Sequence, residues 1–367
     1  MKKKCLAMGL LVGMLAMGRG LWAEDTHIHG YADVHVNNPK TGSTATGQGN
    51  PRTLDFHHLV IGVSHPFSED LRFEAEVDFE HATKDLELEF AYVDWRWTTA
   101  INLRVGSLLM PVGRLNEFHE PTLYPSVERP YVETYIIPTT WNEGGAGFYG
   151  RLGDEVAYRT YLVSGLKAAN FKSDSGIRKG RQVLDEAPVN NLAWVGRVEY
   201  QPSFLTGFLF GVSGYYGGAL QDSTGIGNPT VTLGEVDVQF GKWGWEFVAS
   251  GTMIGITDAG ALSAASGTTI GERMMGWYAE IGYDLLPLFQ PDTTRSLKGF
   301  YRYEFFDTNA QVPASYVKDA KNERRVMTAG LAFYPDRRVA FKFDAEYWQD
   351  ATNNLLTRTN LGMALMY

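Results

Sequence analysis

Between Leu71 and Glu80 charge recurs at every second residue: Arg72, Glu74, Glu76, Asp78 and Glu80. Leu71, Phe73, Ala75, Val77 and Phe79 fill the positions between them. A period of two belongs to extended chain with one ionic and one apolar face. Four carboxylates on one face cannot enter a dry core, because an unpaired buried charge is prohibitively expensive. That face must therefore meet water, and its chemistry is electrostatic: it concentrates cations and shapes a field. A second concentration of charge lies in residues 110–144, where Arg114 and Arg129 stand against Glu117, Glu120, Glu128, Glu133 and Glu143, with no lysine and a formal charge of -3. Cationic counterparts recur elsewhere on alternating stretches as Arg104, Arg151, Arg159 and Arg197.

Other chemistries are poorly supplied. His27, His29 and His35 share a strand face, and His57 adjoins His58. Histidines at i and i+2 can converge on a divalent ion, but these fit wet residues near strand ends, and no metal is assigned. No Gly-x-Ser-x-Gly step frames a nucleophile, so no catalytic residue and no enzymatic activity are expected. Glycines are scattered rather than gathered into a phosphate-cradling loop, and no cofactor is expected. The acid excess, a net charge of -9, argues against a nucleic-acid partner, which needs a basic surface. The single cysteine, Cys5, excludes a disulfide framework.

Residues 1–23 read as a signal peptide. Lys2, Lys3 and Lys4 precede an apolar stretch from Cys5 to Met17, and Leu21-Trp22-Ala23 forms a cleavage step before Glu24. Its removal takes away Lys2, Lys3, Lys4 and Arg19 and no acid, moving the net charge from -9 to -13. Export into an oxidising compartment also fits the missing cysteine. The expected location is the outer membrane of a Gram-negative bacterium.

Sixteen segments share the period-two pattern: 27–37, 56–65, 71–81, 86–97, 101–109, 145–152, 156–165, 191–201, 207–217, 230–240, 245–253, 274–285, 297–306, 324–334, 339–348 and 357–367. Most have the roughly nine to eleven residues of a tilted membrane strand. In the fourth, the phase set by Leu88 and Phe90 would turn Asp94 and Arg96 toward lipid, so a β-bulge is expected near Ala91. Short turns such as Thr98-Thr99 and Gly241-Lys242-Trp243-Gly244 alternate with long loops near 110–144, 166–190, 218–229, 254–273 and 307–323. Short turns on one side and long loops on the other belong to an up-and-down barrel in an outer membrane. The expected fold is therefore all-β, a 16-stranded antiparallel transmembrane β-barrel spanning 24–367. Trp95, Trp97, Tyr215, Tyr216, Trp243, Trp245, Trp277, Tyr283, Tyr334, Tyr347, Trp348 and Tyr367 lie near strand ends and suit its interfacial girdles.

The third loop, 110–144, is too long for a hairpin and too rich in proline for another strand pair. A sixteen-stranded lumen has room for such a loop to fold inward and narrow it. Arg104, Arg114, Glu117, Glu120, Glu128, Arg129 and Glu133 are the expected constriction residues. Glu74, Glu76, Asp78, Glu80, Arg151, Arg159 and Arg197 are the expected pore wall. The acids of the first four strands (Asp33, Glu74, Glu76, Asp78, Glu80, Glu87 and Glu89) and the arginines of the next four are expected to form opposed walls with a field between them. The alternative is a set of local ion pairs.

The run Arg104-Val105-Gly106-Ser107-Leu108-Leu109-Met110-Pro111-Val112-Gly113, then Glu128-Arg129-Pro130 and Gly144 to Arg151, resembles the phosphate-selective porin O/P family. The resemblance implies a sixteen-stranded, homotrimeric channel with the third loop as constriction. Tyr367 resembles the terminal aromatic that barrel-assembly machinery recognises. The chain departs from phosphate-selective members in having no lysine in its third loop, which favours cation preference or weak selectivity. The expected function is passive diffusion of small hydrophilic solutes or ions. An adhesin or structural barrel with binding in its outer loops is the alternative. Outer-membrane lipid and lipopolysaccharide would surround it.

Overall fold

The computed structural model describes residues 26–40 and 52–367; residues 1–23, expected to be a signal peptide, lie outside them. Its strands are β1 (His27–Lys40), β2 (Thr53–Pro66), β3 (Leu71–Glu80), β4 (Asp85–Arg96), β5 (Asn102–Leu109), β6 (Asn142–Leu152), β7 (Val156–Ser164) and β8 (Leu192–Tyr200). The second half comprises β9 (Phe208–Gly218), β10 (Thr230–Lys242), β11 (Trp245–Ile256), β12 (Arg273–Asp284), β13 (Ser296–Gln311), β14 (Glu323–Asp336), β15 (Val339–Asp350) and β16 (Leu355–Met366). Each pairs antiparallel with its neighbours in sequence, and β1 pairs with β16 to close the barrel. The closing register runs from Tyr31 opposite Met366 to Lys40 opposite Thr357.

The barrel is inside out relative to a water-soluble protein. On β15, Lys342, Asp344, Glu346 and Asp350 are buried, whereas Phe341 and Phe343 are 49% and 47% exposed. The same alternation exposes Phe210 and Val212 on β9, Trp277 and Ile281 on β12, and Leu361 and Met363 on β16. An apolar outer belt around a polar interior is what a lipid-spanning barrel requires.

Period two also decides which aromatics reach the girdles. Trp95, Trp97, Tyr216, Trp243, Trp245, Trp277, Tyr347 and Tyr367 are exposed as expected. Tyr215, Tyr334 and Trp348 are buried instead. Tyr215 and Tyr216 are adjacent, as are Tyr347 and Trp348, so only one of each pair can face outward.

The bulge on β4 is real but falls at Glu89, two residues before Ala91. Glu76 pairs with Phe90 and Val77 with Leu88, skipping Glu89. Its consequence matches the expectation, with Trp95 outward and Asp94 buried. A second, unanticipated bulge skips His57 on β2, where Asp33 pairs with His58 and Val34 with Phe56.

Phe343 lies at mid-strand on the apolar belt. Phe343→Arg is expected to destabilise the barrel by about 2–4 kcal/mol, the usual scale for a cation at the bilayer midplane. Reversible denaturant unfolding in lipid vesicles measures it, and a cost below about 1 kcal/mol would reject this face as lipid-facing.

Candidate functional site

The third connection joins Leu109 of β5 to Asn142 of β6, so Glu143, expected in the loop, lies on β6. There it is buried and accepts hydrogen bonds from Ser164 Oγ at 2.6 Å and Trp141 Nε1 at 3.3 Å. Two glycines of the motif that opens the loop have steric reasons. A Cβ on Gly106 (φ 145°) would stand 2.2 Å from the Ala91 carbonyl oxygen. One on Gly113 (φ 70°) would stand 2.8 Å from Glu133 Oε2. Substitution at either position is strained as well as crowded.

The loop's polar atoms bond to strands far around the ring from β5. Val127 N donates to Asp344 on β15 at 2.6 Å, and Val132 N donates to Glu304 on β13 at 3.1 Å. Tyr131 donates to Glu346 on β15 at 2.9 Å and accepts from Arg358 on β16 at 3.1 Å. Lys342 on β15 donates to the carbonyls of Pro121 and Ser126. Arg302 on β13, fully buried, donates to Ser126 Oγ at 2.6 Å, Glu280 at 3.1 Å and Glu304 at 2.8 Å. Between these anchors Val112, Val132, Ile136, Ile137 and Trp141 pack in one apolar cluster with Leu166, Phe171 and Ile177 of the β7–β8 connection.

The expected constriction residues divide among several neighbourhoods. Arg104 bonds Asp94 through Nε at 2.7 Å and Nη2 at 3.1 Å, between the rings of Tyr92 and Tyr149. It lines a cavity of about 670 Å³ at the short-turn end, together with Glu69, Asp70, Arg72, Arg96 and Thr99. Arg104 is thus anchored to the wall through Asp94, and Glu117 is the grouped loop residue that lies in its field. Glu117 pairs with Arg159 at 3.2 Å. Glu120 faces the cluster of Glu76, Glu89 and His119, in which His119 Nε2 lies 3.1 Å from Glu89. Glu128 accepts from Asn37 at 2.9 Å, and Arg129 lies in the field of Glu89 and Asp33. Glu133 accepts from Tyr278 at 3.4 Å, while its Oε2, buried, has no hydrogen-bond partner. Arg114 is the cation that most offsets Glu133's burial.

Burial sets the loop's ionisation. It pushes the Glu133 carboxyl up to about 7, against the pull of Arg114. It likewise raises Glu117, against Arg159 and Arg104. At His119 burial opposes the charge, but the Glu89 carboxylate outweighs it and the imidazole is raised. At Glu128 burial is outweighed by His35, His57, Arg358 and Asn37, and the carboxyl falls to about 2.

The wall residues are largely neutralised where they stand. Glu74 pairs with Arg72 at 2.6 Å and Asp78 with His58 at 2.6 Å, beside Glu80. Glu76 faces His29 at 3.4 Å. Arg159 also meets Glu199 at 3.2 Å. Arg197 meets Glu199 at 2.9 Å and Asp237 at 2.6 Å. Arg151 is exposed and donates to the Asp154 carbonyl in its own turn, away from the wall. The expectation of opposed acidic and basic walls is corrected on two grounds. In the ring, β5–β8 adjoin β1–β4 rather than facing them. Arg104, Arg159 and Arg197 are also compensated by carboxylates within bonding distance, as the ion-pair alternative anticipated.

The sequence reading missed the β7–β8 connection as a structural partner of the third loop. Arg181 donates to the carbonyls of Thr139 and Thr140, while Asn322 Nδ2 donates to Ser173 Oγ at 3.0 Å and to Asn309 at 2.6 Å. Leu166, Phe171 and Ile177, the apolar residues of this connection that pack against the third loop, were its local signal.

No protein-family model matches the chain. An uncharacterised protein of Aquifex aeolicus is 34% identical over 352 residues, covering 90% of this chain and 78% of that protein. Among solved structures, the outer membrane channel DcaP of Acinetobacter baumannii superposes with a TM-score of 0.61 at 11% identity, over 94% of this chain and 97% of its own. An anion-selective porin from Comamonas acidovorans gives 0.56 at 8% identity, over 93% and 99%. The trimer form of OmpT, an outer membrane protein of Vibrio cholerae, gives 0.57 at 6% identity, over 93% and 99%. The structural neighbours are outer-membrane porins, and the fold is theirs.

Two outcomes follow from the buried charges. Arg302→Ala leaves Glu280 and Glu304 without their shared cation. It is expected to cost about 3–5 kcal/mol and to expose residues 110–141 to proteolysis, read by thermal unfolding and limited digestion. Glu133 holds its proton in the native state up to about pH 7, whereas the unfolded chain releases it near the ordinary value of 4.5. Its contribution to stability is therefore complete below about pH 4.5 and lost as pH rises through 7. Glu133→Gln should match the parent at pH 4 and exceed it at pH 8.5 by up to about 3 kcal/mol. Equal unfolding free energies at both pH values would reject the buried, proton-holding carboxyl.

Proposed function

We propose that this chain, which belongs to the same family as the uncharacterised Aquifex aeolicus protein, is an outer-membrane channel for passive diffusion of small hydrophilic solutes or ions. One observation carries the reading: a polar interior enclosed by a closed sixteen-stranded barrel whose outer belt is apolar. Such a wall separates lipid from water and leaves the solute path inside.

The third loop is the constriction. In a ring of sixteen, β13 stands opposite β5, and bonds from Ser126, Val127, Tyr131 and Val132 to β13, β15 and β16 support a loop that crosses the lumen. The cavity at the short-turn end is then its inner vestibule. The chain is exported by residues 1–23, assembled through recognition of Tyr367 by barrel-assembly machinery, and seated among outer-membrane lipid and lipopolysaccharide. A homotrimer is supported by the trimeric OmpT neighbour.

The selectivity is cationic or weak, although the motifs at 104–113, 128–130 and 144–151 resemble those of phosphate-selective porins. Arg104, Arg159 and Arg197 are each bound to carboxylates, and residues 110–144 carry no lysine. A phosphate would have to displace a carboxylate from an arginine already matched to it.

Recording from the refolded chain in a planar bilayer tests the reading. Discrete conductance steps are expected, with a zero-current potential in a KCl gradient of the sign for K⁺ preference or near zero. Phosphate should not block. An electrically silent barrel would overturn the channel, and a strong anion preference would overturn the selectivity.

A further inference from the structure

All eight histidines lie at or before position 119, and four of them gather on β1, β2 and the β3–β4 turn. His35 and His57 rings are 4.6 Å apart, His57 and His58 4.1 Å, and His57 and His81 5.2 Å. We propose that His35, His57 and Asp55, with His81 beside them, form a binding site for a divalent transition-metal ion of the zinc class at the loop end of the barrel.

The convergence is built by departures from regular structure. An uninterrupted β2 would turn His57 and His58 to opposite faces. The bulge at His57 lets one bond Asp55 and the other Asp78, both from the inner face. Bulges re-aim side chains in this way beside functional sites. His81 arrives from a turn in which His81, Ala82 and Thr83 all have positive φ, at 49°, 54° and 77°. Three successive non-glycine residues in that region are strained, and the turn is held by His81 N and Ala82 N donating to the carbonyls of His57 and Phe56, both at 3.0 Å.

The donor set suits a cation better than it suits hydrogen bonding. Three imidazoles crowd one carboxylate oxygen. Asp55 Oδ2 lies 3.0 Å from His57 Nδ1, 2.7 Å from His81 Nδ1 and 3.6 Å from His35 Nε2. Such an oxygen has lone pairs for about two donors. Ligand atoms of His35, Asp55 and His57 lie within 4.8 Å of one another. The edge of a tetrahedral zinc site with bonds near 2.0–2.1 Å is about 3.3 Å, so 3.0 and 3.6 Å bracket it. Nitrogen-rich sets of this kind select zinc and its neighbours over calcium or magnesium, which take oxygen.

A further sign is His35 itself. It is 4% exposed, and its Nδ1 has no hydrogen-bond partner. That nitrogen faces Asp33 at 3.8 Å and Glu128 at 3.9 Å. A histidine ligating through Nε2 ordinarily donates its other nitrogen to a carboxylate, and both candidates are in place. The two neighbouring histidine–carboxylate groups are closed by comparison. His58 is committed to Asp78 at 2.6 Å, and His119 to Glu89 and the Asn116 carbonyl.

The test is independent of conduction. Refolded full-length barrel in detergent is titrated with Co²⁺ alone, a spectroscopic stand-in for Zn²⁺. The expected result is saturable visible d–d absorption at one Co²⁺ per chain, bleached by Zn²⁺. The absorption should be lost in His57→Gln and Asp55→Asn and altered in His81→Ala, whose side chain is exposed enough to spare the fold. It should persist in His27→Ala and His65→Ala. Heat-modifiable electrophoretic mobility checks that each barrel is folded. Absence of the absorption in the folded parent, or its persistence in both His57→Gln and Asp55→Asn, would overturn the site.

Discussion

Closure of the sheet is the constraint on which the rest depends. A strand in hydrocarbon must find backbone partners on both sides, because no water is present to bond an exposed edge. The pairing of β1 with β16, carried across ten residue pairs, removes the last edges. Once the ring is closed, period two has only two destinations, lipid and lumen. Apolar side chains therefore face outward and charged ones collect within. The low overall hydrophobicity of such a chain is an average over two surfaces, each well suited to its own solvent.

Closure also creates the interior that the loops must manage. A wet lumen lined by carboxylates would repel itself unless cations or arginines intervened. Arg197 and Arg302 show the solution adopted, each held among carboxylates at 2.6–3.1 Å. Truncating either would leave buried carboxylates without their cation, so these residues stabilise by compensation as much as by attraction. Arg302 also bonds Ser126. The same guanidinium thus neutralises β12 and β13 and tethers the third loop, coupling wall electrostatics to loop position.

Most of the architecture was legible because strand periodicity is local. All sixteen strands could be placed from alternation, since each segment of about ten residues carries the signal by itself. What failed was one-residue or long-range. The β4 bulge was inferred from the misfit of Asp94 and Arg96, but alternation restores the same phase wherever the extra residue falls, so Ala91 and Glu89 were indistinguishable. The His57 bulge left less trace, because histidine is at home on either face. Tyr215 and Trp348 were misassigned because adjacent aromatics do not say which one faces out. The bonds from Val127 and Tyr131 to β15 join residues more than two hundred positions apart. Only the ring geometry brings them together. Opposed charged walls failed for the same reason, since adjacency in sequence became adjacency on the ring.

The pattern of these misses bears on function. Regular alternation builds a barrel that any porin-like sequence could share, and likeness at 6–11% identity reaches no further than that fold. Particularity resides where alternation breaks. At Glu89 the bulge delivers a carboxylate to His119 and Tyr31, joining the third loop to β1 and β4. At His57 it turns a second imidazole inward. Each costs a ladder hydrogen bond, a penalty borne on a wall where every backbone group otherwise needs its partner. These two lie in the quarter of the ring formed by β1–β4, where the third loop's Glu128 and His119 also arrive, while other register shifts fall between β12 and β13 and between β14 and β15.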